Sequence, residues 1–151
     1  MPCSSPSFVR FDDFARARGQ GQIVSFVLVK IKSGESPAIA ELADGTLIIA
    51  ATDKGLLRSE DRGQTWMPSR SGIDIGTIFT VKASAAGDRL YTGTDHGVYF
   101  STDSGKSWKP TALDDVWAIG IGVDPADPRH LLVVNTNGEL FASHDAGQTW
   151  D

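Results

Sequence analysis

Asp61, Asp103 and Asp145 stand 42 residues apart, and each lies in an octet of one pattern: Ser59-Glu-Asp-Arg-Gly-Gln-Thr-Trp66, Ser101-Thr-Asp-Ser-Gly-Lys-Ser-Trp108 and Ser143-His-Asp-Ala-Gly-Gln-Thr-Trp150. A carboxylate set among Ser, Gly and Thr has two chemistries open to it. It could hold a hard cation as half of a calcium loop does, but no octet has the bidentate Glu at position 12 of such a loop. Or it could accept backbone N–H groups and close a tight turn, with the Gly two places later entering φ > 0 without a Cβ penalty. The octets predict the second. Ser59, Asp61, Gly63, Thr65 and Trp66 are therefore read as structural, as are Ser101, Asp103, Gly105, Ser107 and Trp108, and Ser143, Asp145, Gly147, Thr149 and Trp150. A large aromatic at one fixed register per repeat is the expected wedge between neighbouring units.

What recurs is scaffold, so identity should sit where the repeat breaks. Asp114 and Asp115 fall where the preceding repeat has Gly72 and Ile73, Trp117 falls at the place of Ile75, and His96 at that of Lys54. A carboxylate pair beside an aromatic ring suits a sugar, the ring stacking on a pyranose face and the carboxylates accepting hydroxyl hydrogens. The alternative is a solvated loop with Trp117 filling the core. Asp53, Asp95 and Asn137 share one position, where Asp or Asn suits a tight turn. His96, His130 and His144 lie at unrelated repeat positions, which argues against a His-based metal site. Neither a Walker-type phosphate loop nor a nucleophile elbow is present, and no catalytic set, metal or cofactor is predicted.

The elements that must position these residues follow from turn chemistry and apolar pattern. A period of 42 residues is that of one four-stranded propeller blade. Leu47 to Thr52, Leu90 to Thr94 and Leu131 to Thr136 read as second strands, and Leu56 to Ser59, Val98 to Ser101 and Leu140 to Ser143 as third strands. Ile75 to Val81 and Val116 to Val123 read as innermost strands. The expected fold is all-β, with about three blades of four antiparallel strands, an incomplete propeller: residues 22–70, 71–112 and 113–151. Residues 1–21 form an arm or a short amphipathic helix. The first blade's inner strand is ambiguous, since one period before 75–81 lies 33–39, a poor strand, whereas 23–31 is a good one.

The octets resemble Asp-boxes, or BNR repeats, of sialidases, xyloglucanase-like glycoside hydrolases, sortilin-type receptors and photosystem II assembly factors. Thr52-Asp-Lys-Gly and Thr94-Asp-His-Gly are similar to the T-D-x-G stretch that precedes many Asp-boxes. The resemblance implies a β-propeller whose Asp-boxes lie on one face, and whose second-to-third-strand turns and blade-to-blade links lie on the other. That second face would carry Asp53, Asp95, His96, Asp114, Asp115 and Trp117. For enzymes of the sialidase type it would also imply an Arg-Ile-Pro motif, which is missing, and a Tyr paired with a Glu, which neither Tyr91 nor Tyr99 suggests. Xyloglucanase-like enzymes use two carboxylates, and Asp53 or Asp95 could match one half of such a pair.

A formal charge of −5 and a pI near 5.1 argue against nucleic acid or an anionic membrane as partner. No segment has the roughly 18 apolar residues of a membrane span. The start lacks the basic end and apolar run of a signal peptide, so the chain as given reads as cytoplasmic, or as secreted if the true N-terminus lies elsewhere. Closed propellers use roughly 4 to 8 blades, so about three leave apolar faces to be covered by self-association or by a longer propeller. The expected role is a non-catalytic scaffold for a protein or glycan ligand, with a glycoside hydrolase fragment as the alternative.

Overall fold

A computed structural model describes residues 38–51, 55–73 and 76–151; Asp53, the 1–21 segment and the 23–31 run lie outside these residues. All described elements are strands. The first blade comprises β1 (Ala38–Glu41), β2 (Leu47–Ala51), β3 (Gly55–Ser59) and β4 (Met67–Pro68). The second comprises β5 (Ile78–Ala83), β6 (Leu90–Thr94), β7 (Gly97–Ser101) and β8 (Lys109–Asp114). The third has β9 (Ala118–Val123), β10 (Leu131–Asn135) and β11 (Leu140–Ser143). Each sheet is antiparallel with neighbours in chain order, β1-β2-β3-β4, β5-β6-β7-β8 and β9-β10-β11. Asp151 and Ala142 exchange both backbone hydrogen bonds, at 2.9 and 3.2 Å. This repeats the pairing of Met67 with Arg58 and of Lys109 with Phe100, so Asp151 stands where the outer strand of the third blade begins.

Inner strands lie later than the apolar pattern predicts. β5 starts at Ile78 rather than Ile75, and β9 at Ala118 rather than Val116. The first blade's inner strand is β1 and not 23–31: Ala38 pairs with Ala50 as Thr80 pairs with Gly93, 42 and 43 residues on. Between the second and third blades the offset varies. Ile78 and Ala118 are 40 residues apart, Leu90 and Leu131 are 41, and Ser101 and Ser143 are 42. A blade-to-blade link shorter by two residues is compensated by one extra residue in each of the two following turns. Trp117 therefore stands in the place of Thr77, not Ile75.

Strand alternation sends successive side chains to the two faces of each sheet. Ile48, Ala50 and Leu56 of the first blade meet Ile78, Val81 and Leu90 of the second in one buried core that also takes Trp108. Tyr91 and Val98, on the other face of the second blade, meet Ile121, Leu131 and Val133 of the third. The blades stack face to face, with a dry core in each gap. At Gly93 the two backbones come so close that a Cβ would lie 2.1 Å from the Ala118 carbonyl oxygen.

Candidate binding face

The Asp-box turns are built identically three times. Each Ser Oγ donates to its Asp Oδ1 at 2.8, 2.8 and 2.9 Å and accepts the Gly N–H four residues on at 2.7, 2.9 and 2.8 Å. The N–H of Thr65, Ser107 and Thr149 donates to the same Asp Oδ1, and each hydroxyl to Oδ2. The Gly N–H thus goes to Ser59, Ser101 and Ser143, all buried, and not to the Asp. Arg62, Ser104 and Ala146, which differ from turn to turn, hold φ of 60, 59 and 62° immediately before the left-handed Gly. Two successive left-handed residues turn the chain sharply enough for the Ser hydroxyl to reach the Gly N–H and the Asp carboxylate to reach the N–H two residues further on.

Three hydrogen-bond donors on each carboxylate stabilise its charged form. At Asp61 and Asp103 partial burial opposes ionisation, but the bonds from Thr65 and Ser59, or Ser107 and Ser101, outweigh it and lower both pKa values, that of Asp103 to about 2. At Asp145 the Thr149 hydroxyl is the main cause, again to about 2. Since these values lie below those of the unfolded chain, the stabilisation is complete above about pH 4 and is lost as pH falls towards about 2. Asp103→Ala is expected to cost roughly 1–3 kcal/mol at neutral pH, because the Ser101 hydroxyl and the N–H and hydroxyl of Ser107 lose their acceptor. Denaturation of both proteins at pH 7 and in acid checks this: the difference should shrink as pH drops through that window, and equal midpoints at pH 7 would contradict it.

On the same side, His130 lies 3.7 Å from Asp124 and 3.6 Å from Asp127, and its ring meets that of His144 edge-on at 4.8 Å. The fold brings together two histidines that the repeat separates. Among the described residues, no three His, Cys, Asp or Glu side chains are placed to hold a metal ion.

The opposite end of the stack carries the residues that break the repeat. Asp95 closes the β6–β7 turn: its Oδ1 accepts the Thr77 N–H at 2.9 Å, its own N–H donates to the Thr77 carbonyl at 3.1 Å, and His96 Nδ1 lies 2.8 Å from the same oxygen. That ties the turn to the link entering β5. Gly97, next in the turn, pairs with Asp114, so the outer strand ends beside His96. Asp115 turns the chain with φ 52°, and Ala118 N–H bonds back to the Val116 carbonyl at 3.0 Å, a three-residue turn centred on Trp117. Trp117 is thereby thrown outwards and is 55% exposed, so it does not fill the core.

Trp117 does not stand by itself. The β5–β6 register shifts between Ile78 and Thr80, leaving Phe79 as the extra residue of a bulge, and bulges re-aim side chains. Phe79 meets Trp117 across the gap between blades, ring centroids 6.0 Å apart and planes tilted by 33°. The sequence reading missed Phe79, since inside an apolar run nothing marks which residue will bulge. The result is a two-ring aromatic ledge spanning the second and third blades, on the same end as Asp95, His96, Asp114 and Asp115.

Comparison with known proteins fits this architecture. The BNR/Asp-box repeat family model matches residues 99–110. No curated protein sequence matches the chain. Among solved structures, the GH74 enzyme of Niastella koreensis is 25% identical over 81% of this chain and 18% of its own, with a TM-score of 0.56. YCF48 bound to D1 peptide is 17% identical over 80% of this chain and 40% of its own (TM-score 0.57), and the nidogen/laminin complex is 14% identical over 76% and 46% (TM-score 0.61). The chain thus spans between 18% and 46% of these structures. Three Asp-box turns of one geometry, the middle one overlapping the stretch that the BNR/Asp-box repeat model matches, stand on three stacked antiparallel blades, and the fold is that of an incomplete β-propeller with about three blades.

Proposed function

We propose that the protein is a non-catalytic binding scaffold that offers the end opposite its Asp-boxes to a protein or glycan ligand. One observation carries this reading: Trp117 is 55% exposed and is held there by a tight turn and by the Phe79 ring. An aromatic in that state has not been buried, and a soluble domain that exposes a Trp next to carboxylates has the makings of an anchor. Support also comes from the similar folds, since the YCF48 structure is bound to a D1 peptide and the nidogen structure is a complex with laminin.

The second reading, a fragment of a glycoside hydrolase, is favoured by the likeness to the GH74 enzyme. Against it, the Asp95 carboxylate is engaged by the Thr77 N–H and by His96, the position of a turn lock rather than of an acid or base free to meet substrate. Glycan and peptide arrays followed by calorimetry test the proposal. For a ligand found on either array, Trp117→Ala combined with Asp114→Ala and Asp115→Ala should weaken binding by about tenfold or more, the size expected of an interface anchor. Asp61→Asn on the other face should act through stability alone. Cleavage of an arrayed glycan would favour the hydrolase reading, and unchanged affinity in the triple variant would move the site elsewhere.

A further inference from the structure

The two gaps between blades are built from the same repeat positions, but their Asp-box ends are filled differently. In the first gap Arg58, 5% exposed, reaches across from β3 and donates from Nε to the Ser104 carbonyl at 2.9 Å. In the second gap Phe100 stands in its place and can make no such bond. The blades are no further apart there, since a Cβ at Gly147 would lie 2.9 Å from Thr111 Cγ2, much as one at Gly105 would lie 2.7 Å from Ile48 Cδ1. The exchange of side chains, and not a splaying of the sheets, leaves a cavity of about 490 Å³ lined by Arg89, Phe100, Pro110 and Thr111 of the second blade and Gly147 and Gln148 of the third. The plug of the first gap comes from one of the two blades that form it, so the repeat gives this position to no later segment.

Arg89 decides what fits. It stands just before β6, where the first blade has Thr46, and its guanidinium lies over the Phe100 ring, 5.4 Å from the centroid. Among the described residues Arg89 makes no ion pair, and the carboxylate of neighbouring Asp88 accepts instead from Ser84 Oγ at 2.7 Å. Tyr91, paired with Phe100, brings a second donor: its hydroxyl is buried with no hydrogen-bond partner among the described residues. Burial pushes that phenol up, and the Arg89 guanidinium is close enough to oppose the shift without bonding to it. Two neighbouring donors thus lack an acceptor, and a guanidinium stacked on a ring keeps its N–H edge for a planar carboxylate. We propose that this cavity binds a small organic carboxylate, whose charge pairs with Arg89 and whose flat apolar body lies against Phe100 and Pro110. Its volume is within the roughly 300–1,000 Å³ of small-molecule sites. The site lies at the Asp-box end, apart from the Phe79–Trp117 ledge, and does not depend on it.

Titration of the 151-residue chain with benzoate, followed by amide NMR shifts, tests this against benzamide, which has the same ring without the charge. The expected result is saturable shifts with benzoate at Arg89, Phe100, Thr111 and Gly147, and none with benzamide. Arg89→Gln should weaken benzoate binding by about tenfold or more, as the loss of a charge-assisted pair does, whereas Arg70→Gln, at an exposed arginine of the first blade, should leave it unchanged. Arg89→Thr combined with Phe100→Arg rebuilds the residues of the first gap and should abolish binding with the denaturation midpoint unchanged or raised. Arg89→Gln, at a half-buried position, decides the matter should that double variant unfold. The absence of saturable benzoate shifts at the cavity, equal binding of benzamide, or an affinity unchanged in Arg89→Gln would each overturn the proposal.

Discussion

Trp108→Ala is expected to lower the free energy of unfolding by about 3–5 kcal/mol, the usual cost of truncating a buried tryptophan, with smaller losses for Trp66→Ala and Trp150→Ala. The three residues are equivalent in sequence but not in packing. Trp108 is 3% exposed, and its Nε1 donates across the blade boundary to the Ser69 carbonyl at 2.9 Å. Trp66 and Trp150 are only half-buried, and their indole N–H groups turn back to Gly63 and Gly147 of their own turns, at 3.1 and 3.2 Å. Removing Trp108 thus opens the core between the first and second blades and leaves a buried carbonyl without its donor. Chemical denaturation of the three variants side by side is the check, and equal losses would mean that the middle tryptophan is no wedge.

Gly93→Val should be nearly as damaging, at about 3 kcal/mol or more, the upper end of overpacking costs. Valine is a better strand former than glycine, and the equivalent position in the third blade is Val134, so strand propensity predicts a gain. The structure predicts a loss, because a Cβ at Gly93 would sit 2.1 Å from the Ala118 carbonyl oxygen and 3.0 Å from Thr80 Cγ2. Both obstacles are part of the packed interface, and one is backbone, so the third blade has to move away. Thermal unfolding followed by near-ultraviolet dichroism reads the outcome, and a variant as stable as the parent would contradict the close stacking of these two blades.

These two residues show how much the sequence could say. Asp, Gly and Trp at a fixed period disclose the blade and its turns because each residue acts within a few positions of itself. They do not disclose which tryptophan is a wedge, since that depends on the neighbouring blade; Trp108 gains its partner from Ser69, 39 residues earlier. Inner strands were misplaced by two or three residues because the links before them change length while the Asp-boxes keep their spacing. That shift moved Trp117 from the place of Ile75 to that of Thr77. Phe79 was hidden for a related reason, as a bulge is decided by pairing between strands and not by the residue itself. The candidate face was legible in Asp95, His96, Asp114, Asp115 and Trp117, but its second ring was not.

Hydrogen exchange of the protein with and without a ligand drawn from the arrays tests the binding-scaffold account most directly. The account predicts added protection at residues 76–79, 95–97 and 114–119, the turns and link around the Phe79–Trp117 ledge, and none at the three Asp-box turns on the other face. Protection confined to 59–66, 101–108 or 143–150, with the ledge unchanged, would contradict it.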